Sequence, residues 1–163
     1  MIVVSDTSPL TNLAAIGQFN LLRQLYNEVH IPDGVWEELN AEGKRWPGSV
    51  EVAAADWVQR HAVKNQSLVT ALRRDLGQGE AEGIALAVEL EADLILLDEK
   101  EGRHAAQRMG LRVIGVIGVL LDAKSHGLID KVRPHLDALR QTAGFYLDES
   151  LYHSTLASAG ESA

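Results

Sequence analysis

Two short apolar runs constrain the fold of this chain more than any other feature: "IVVSD" at 2–6 and "LILLD" at 94–98, each ending on an aspartate. Large apolar residues without polar alternation fit strands covered on both faces, as in parallel sheets, rather than half-exposed hairpin strands. The second run passes directly into Asp98, Glu99 and Glu101. A buried strand is a costly place to end on clustered negative charge, so those acids require an explanation.

The segments around these runs follow helical spacing. "SPLTNLAAIG" supplies Ser8 as an N-cap, Pro9 for the first helical position and Gly17 as a stop. "FNLLRQLY" reads as a short helix and "EVHI" as a strand; Pro32 then opens a helix over "DGVWEELNAE" that Gly43 ends. "GKRWPGSVEVAAADW" begins like a loop and shows no clear period, whereas "DWVQRHAV" alternates as an edge strand does. "SLVTALRRDL" is helical as far as the break "GQG", and "EAEGIALAVELE" is a second helix with Ala81, Ile84, Ala85 and Val88 on one face. After the "DLILL" strand come a helix over "EKEGRHAAQRM" ended by Gly110, the strand "LRVIGV", and a helix over "GVLLDAKSHG" stopped by Gly127. "IDKVRPHLDALRQTAG" and "DESLYHSTLASAG" complete the chain as helices. Strands separated by helices imply right-handed βαβ units. The expectation is therefore one α/β domain, with a central, mostly parallel twisted sheet flanked by helices on both faces.

The 163 residues suit a single domain with a substantial core. No segment approaches the roughly 20 apolar residues of a membrane span. The start "MIVVSDTSPL" lacks the basic n-region of a secretory signal, so a cytoplasmic protein is expected. With no cysteine, disulfides, thiolate catalysis and cysteine zinc sites are all excluded. The formal charge of −8 argues against general coating of nucleic acid. It is unevenly placed: residues 1–99 hold 7 basic and 16 acidic side chains, and residues 100–140 hold 8 and 4. The late helices thus offer either an ordinary solvated surface or a basic rim to something anionic.

In open parallel sheets, ligands bind in the crevice at the carboxyl ends of the strands. If the two apolar strands are neighbours, Asp6 and Asp98 share that end. Glu80 starts a helix leading into the second strand, and Glu37 or Glu38 lies one turn into the helix after "HIPDGVW". Singly, each acid has a plain reading, as a cap or as a charge favoured at a helix start. Together they would repel strongly in a low-dielectric crevice unless protonated or bridged by cations. Oxygen-only donors suit Mg²⁺ or Mn²⁺ rather than zinc. Paired ions of that kind support in-line displacement at phosphorus.

The ordered set "VVSDTSPL", "IPDGVWEEL", "GEAEGIALA" and "ADLILLDEKEGR" resembles the PIN-domain nucleases, over residues 2 to about 125. The resemblance implies one PIN-like domain over 1–163, with a core over about 2–125 and C-terminal helices over about 130–160. It implies a Mg²⁺- or Mn²⁺-dependent ribonuclease, the toxin of a VapC-type toxin–antitoxin pair. Asp6, Glu38, Glu80 and Asp98 then match the acidic positions, with Glu37 the nearest competitor of Glu38. Asp6, Glu80 and Asp98 would hold metal. Two departures stand out: Leu96 occupies the place of a Ser or Thr, and "EKEGR" replaces an Asp-Phe continuation, leaving Glu99 or Glu101 as substitute ligands. Thr7 and Ser8 are candidates to bond a ligand water or phosphate, and Arg103 to meet a substrate phosphate. A homodimer, and an antitoxin that inserts a basic residue into the acidic crevice, are implied in the same way. The rival readings are a PIN-like scaffold without nuclease activity and a phosphatase with Asp6 as nucleophile. The six histidines show no close metal-ligand pairing, and Trp36, Trp46 and Trp57 read as packing or partner contacts.

Overall fold

The computed structural model describes residues 1–41 and 46–161; Gly43, the expected helix stop, lies outside them. The first half of the chain forms β1 (Val3–Ser5), α1 (Thr7–Ala15), α2 (Leu21–Tyr26), β2 (Val29–Pro32), α3 (Asp33–Leu39), α4 (Ser49–Ala54), β3 (Val58–His61) and α5 (Gln66–Leu72). The second half forms α6 (Gln78–Glu89), β4 (Leu94–Leu96), α7 (Lys100–Arg108), β5 (Val113–Ile114), α8 (Val116–Ser125), α9 (Arg133–Gln141) and α10 (Glu149–Ser158). The described strands pair in the order β3-β2-β1-β4-β5, and every pairing is parallel. The two apolar runs are neighbours, with Val3 opposite Leu94 and Ser5 opposite Leu96. The Asp6 N–H extends this ladder onto the Leu96 carbonyl at 3.0 Å.

Alternation along each strand divides the core in two. Val3, Leu94 and Leu96 join Val29 and Ile31 on one face, under α1, α2, α8 and the C-terminal helices, which contribute Leu136, Leu139 and Leu156. Val4, Ile95 and Leu97 point to the other face, where Ile84 and Ala85 of α6 and Ala106 of α7 cover them. Both faces are dry, as the unbroken apolar runs require. The chain builds outward from β1 through β2 to β3, then returns to β4 and β5 on the opposite side. The order therefore reverses between β1 and β4, and a crevice opens at their carboxyl ends.

Two local expectations are corrected. Ser8 is not a helix N-cap: α1 starts two residues earlier, with Asp6 in the cap position in extended backbone (φ −78°, ψ 174°). Pro9 is then third in the helix, still within the first turn, where backbone N–H groups have no intrahelical partner to lose. In α6 burial is not confined to one face; residues 81–87 are all buried, because the helix packs between α3 and α5 as well as on the sheet, while Val88 is only half-buried. The stretch without a clear period contains α4.

Two of the basic residues in 100–140 make contacts within the domain. Lys124 donates to the Ala159 carbonyl and pairs with Glu161 at 2.9 Å. Arg140 donates to the Leu147 carbonyl and lies over the Tyr152 ring. These charges fasten α9 and α10 to the body of the domain. Among the described residues, no helix is long and apolar enough to cross a membrane.

Candidate functional site

Asp6 stands at the carboxyl end of β1, only 4% exposed. Although it occupies the cap position of α1, its side chain makes no capping bond. Glu38 approaches from the last turn of α3, and Thr7 Oγ1 donates to its Oε2 at 2.7 Å. Both acids come together over Gly79, in the first turn of α6: a Cβ there would lie 2.8 Å from Glu38 Oε2 and 3.5 Å from Asp6 Oδ1. Three elements distant along the chain thus meet because one position lacks a side chain.

Glu80 follows in the same turn. Its Oε1 accepts from the Gly77 N–H at 3.3 Å, closing the start of α6. Its Oε2 is buried without a hydrogen-bond partner. That oxygen sits above Gly102 of α7, where a Cβ would come within 2.6 Å of it. Asp6, Glu37, Glu38, Glu80 and Glu99 line one cavity of about 630 Å³, together with Ser8, Thr11 and Trp46. Of the paired alternatives, Glu38 rather than Glu37 is held by Thr7. Glu99 rather than Glu101 lines the cavity; Glu101 faces solvent.

Asp98 reaches the same edge of the sheet but turns differently. Its Oδ1 accepts from the Val116 N–H at 2.9 Å, so it caps α8 rather than α7. Its Oδ2 is buried and has no partner. Asp98 lines a neighbouring cavity with Arg103, Ile117 and Phe145. Arg103 commits Nη1 to the Leu97 carbonyl at 3.0 Å, the strand end just before Asp98, rather than reaching toward open solvent.

The electrostatics follow from burial and crowding. Desolvation pushes the Asp6 carboxyl up to about 7; the Thr7 backbone N–H opposes this, and the charges of Glu80, Glu38 and Asp98 add to it. Asp98 is pushed up to about 6, first by burial, against the Val116 N–H and Arg103. Glu80 is raised by burial, against the Gly77 N–H, with Glu99, Glu38 and Glu101 raising it further. Such acids lower their energy either by holding protons near neutral pH or by meeting a cation.

Among the described residues, no three His, Asp or Glu side chains form a ready-made cage for an ion. The donors nevertheless fit a hard divalent ion in kind. They are oxygens only, and two of them, Glu80 Oε2 and Asp98 Oδ2, are buried acceptors that no protein donor satisfies.

Three features escaped the sequence. Glu82 is buried and accepts from the Gly34 N–H at 3.0 Å and from Gln78 Nε2. It satisfies the start of α3 and so fixes the helix that carries Glu38. His30 and His61 do pair, Nδ1 to Nε2 at 2.8 Å, because β2 and β3 are neighbours; burial holds His30 below its ordinary value, His61 adds to this and Glu28 opposes it. Of the glycines under Glu38 and Glu80, Gly79 was read only as part of a helix break and Gly102 only as a residue of a helix. A signal existed for them: each falls in or beside an acidic motif, in "GQGEAEG" and "EKEGR".

A comparison with curated proteins finds no match. A protein-family model, DUF3368, described as a PIN domain, matches residues 2–161. With the parallel sheet, the reversal between β1 and β4 and the acids gathered at that point, the chain belongs to this family of PIN domains.

Proposed function

We propose that the protein is a Mg²⁺- or Mn²⁺-dependent endoribonuclease that acts in the cytoplasm as the toxin of a VapC-type pair. One observation carries the reading: Asp6, Glu38 and Glu80 meet at the carboxyl edge of a PIN-domain sheet, and a buried Glu80 oxygen there has no protein partner. Asp6, Glu80 and Asp98 would hold the metal, with Glu99 the next candidate and Glu101 placed only to add negative charge. A divalent ion bound there supplies an activated water and offsets charge on the phosphodiester and its leaving oxygen. The hydrolysis so supported would join the water oxygen to phosphorus as the bond to the leaving oxygen breaks, with the water's proton lost to a base and the leaving oxygen protonated.

The chain's own residues set the geometry. Thr7 orients Glu38, Glu82 fixes the helix carrying it, and Gly79 and Gly102 leave space for the acids. Burial of Asp6 keeps bulk water away from the charge. A cognate antitoxin presenting a basic side chain suits a cavity lined by five acids. A homodimer accompanies this reading as a further proposal.

The test is cleavage of single-stranded RNA with Mg²⁺ or Mn²⁺, wild type against Asp6→Asn and Asp98→Asn. The nuclease reading expects cleavage by wild type alone; equal rates in all three remove the site assignment. A non-catalytic binding protein is the second reading, favoured by the engagement of Asp98 in capping α8. It expects no metal-dependent cleavage by any variant. Slowed bacterial growth on expression, relieved by a co-expressed antitoxin, tests the toxin role separately.

A further inference from the structure

His30 and His61 are 31 residues apart in the chain, yet Nδ1 of the first lies 2.8 Å from Nε2 of the second. The parallel register brings them together. His30 stands opposite Gln59 and His61 opposite Pro32, so the two histidines are diagonal neighbours on one face of β2 and β3. Val29 and Ile31, on either side of His30, belong to the other face. Among the described strands β3 is an edge, paired with β2 alone. The His30 side chain is 16% exposed, and His61 is half-buried, lining a cavity of about 440 Å³ with Lys64, Asn65 and Glu89. The pair is neither sealed in the core nor loose on the surface.

Two imidazole nitrogens that face each other can share a proton or a metal ion. Bonds of about 2.0–2.1 Å to a tetrahedral ion hold two such nitrogens about 3.3 Å apart, with the ring centres about 5 Å apart. The ring centres here are already 5.0 Å apart. A swing of the rings that opens the nitrogens by about half an ångström therefore makes room for an ion. Glu28 lies on the far side of His30, its Oε2 3.9 Å from Nε2. Metal-bound imidazoles turn their other N–H toward just such a carboxylate. Each neutral ring then keeps one proton, on Nε2 of His30 and on Nδ1 of His61. Burial and the neighbouring His61 favour neutral His30, against Glu28, and the neutral ring is the metal ligand. Among the described residues no third His, Asp or Glu joins the pair, so waters would complete the coordination. Imidazole donors suit Zn²⁺, Cu²⁺ and Ni²⁺, whereas the oxygens of the acid cluster suit Mg²⁺ and Mn²⁺.

We infer that His30 and His61 form a second ion site, separate from the acids, in which a divalent ion of the Zn²⁺ class bonds both imidazoles and fastens the edge strand β3 to β2. With two protein ligands it binds more weakly than a closed four-ligand zinc centre. An ion held only by the folded chain stabilises it according to occupancy, and the effect falls on the strand with a single neighbour. The site stands independently of the nuclease reading.

The experiment titrates Zn²⁺, with Mg²⁺ in excess to occupy oxygen-only sites, into wild type, His30→Gln and His61→Gln. Calorimetry gives the affinity, thermal melting gives the stabilisation, and nitrogen NMR of the imidazole rings identifies the atoms that bind. The expected result is a saturable site whose Kd rises at least about tenfold in each variant, since losing a ligand costs no less than losing its support. Zn²⁺ should raise the melting temperature of wild type and leave that of the variants unchanged. At saturation the Nδ1 signal of His30 and the Nε2 signal of His61 should shift together. Equal Zn²⁺ affinity in all three proteins overturns the inference, as do ring signals that stay in place at saturating Zn²⁺; the pair is then a hydrogen bond alone. Where circular dichroism shows a variant unfolded, the ring signals of wild type decide by themselves.

Discussion

At the scale of single residues, the site is defined as much by missing side chains as by acids. Gly79 lies under Glu38 and Asp6, Gly102 under Glu80, and each leaves room that a methyl group would occupy. Gly102→Ala should cost about 1–3 kcal/mol by overpacking against Leu97, whereas Gly79→Ala displaces chiefly the end of the Glu38 side chain at little cost in stability. Each should also reduce RNA cleavage at least about tenfold through the displaced carboxylate, a loss of the size expected when a ligand's support is disturbed. Urea titration and initial rates at saturating Mn²⁺ measure the two effects. Asp6→Asn separates stability from function. It should lower cleavage more than about a hundredfold. It should nevertheless raise the melting temperature of metal-free protein at pH 8, because a buried charge has been replaced by a neutral amide.

At the scale of elements, short contacts fix how helices enter and leave the sheet. Asp98 caps α8 through Val116, so Asp98→Ala should lose about 0.5–2 kcal/mol, while Asp98→Asn retains an acceptor and most of that stability. Both variants should lose cleavage, which separates the cap from the proposed metal role. At the C-terminal end, Glu161 accepts from the Val132 N–H at 2.7 Å and the Arg133 N–H at 3.1 Å, and binds Lys124. Glu161→Ala should therefore destabilise by about 1.5–3 kcal/mol in denaturant titrations, with α9 and α10 loosened first by hydrogen exchange. Most elements were legible because their signals are local. The apolar runs at 2–5 and 94–97 became β1 and β4, and Gly17, Gly110 and Gly127 stop helices at positive φ. Contacts across elements were not legible. The Glu82 bond to Gly34 spans 48 residues, and the His30–His61 pair depends on which strands adjoin. The start of α1 was misplaced because Ser8 and Pro9 resemble a cap and first position whether or not Asp6 already holds the cap.

For the whole molecule, the reversal of strand order between β1 and β4 gathers charge that folding alone does not favour. Asp6 rises from an ordinary 3.8 to about 7, and Asp98 from 3.8 to about 6. Between those values the folded chain holds protons that the unfolded chain has released. The contribution of these two groups to the stability of metal-free protein should therefore be fully present below about pH 4 and be lost as the pH rises toward and through about 7. Mn²⁺ should reverse the loss, raising the melting temperature more at pH 8 than at pH 5, because an ion binding only the folded, deprotonated site stabilises it by mass action. Scanning calorimetry across that range, with and without Mn²⁺, gives both slopes.

Diffraction from crystals soaked in Mn²⁺, with data collected at the manganese absorption edge, addresses the acid cluster itself. An anomalous peak within coordination distance of Asp6 and Glu80, lost in Asp6→Asn crystals, is the predicted result. Clear density for the side chains with no manganese among them, or a peak that persists unchanged without the Asp6 carboxylate, would contradict the account.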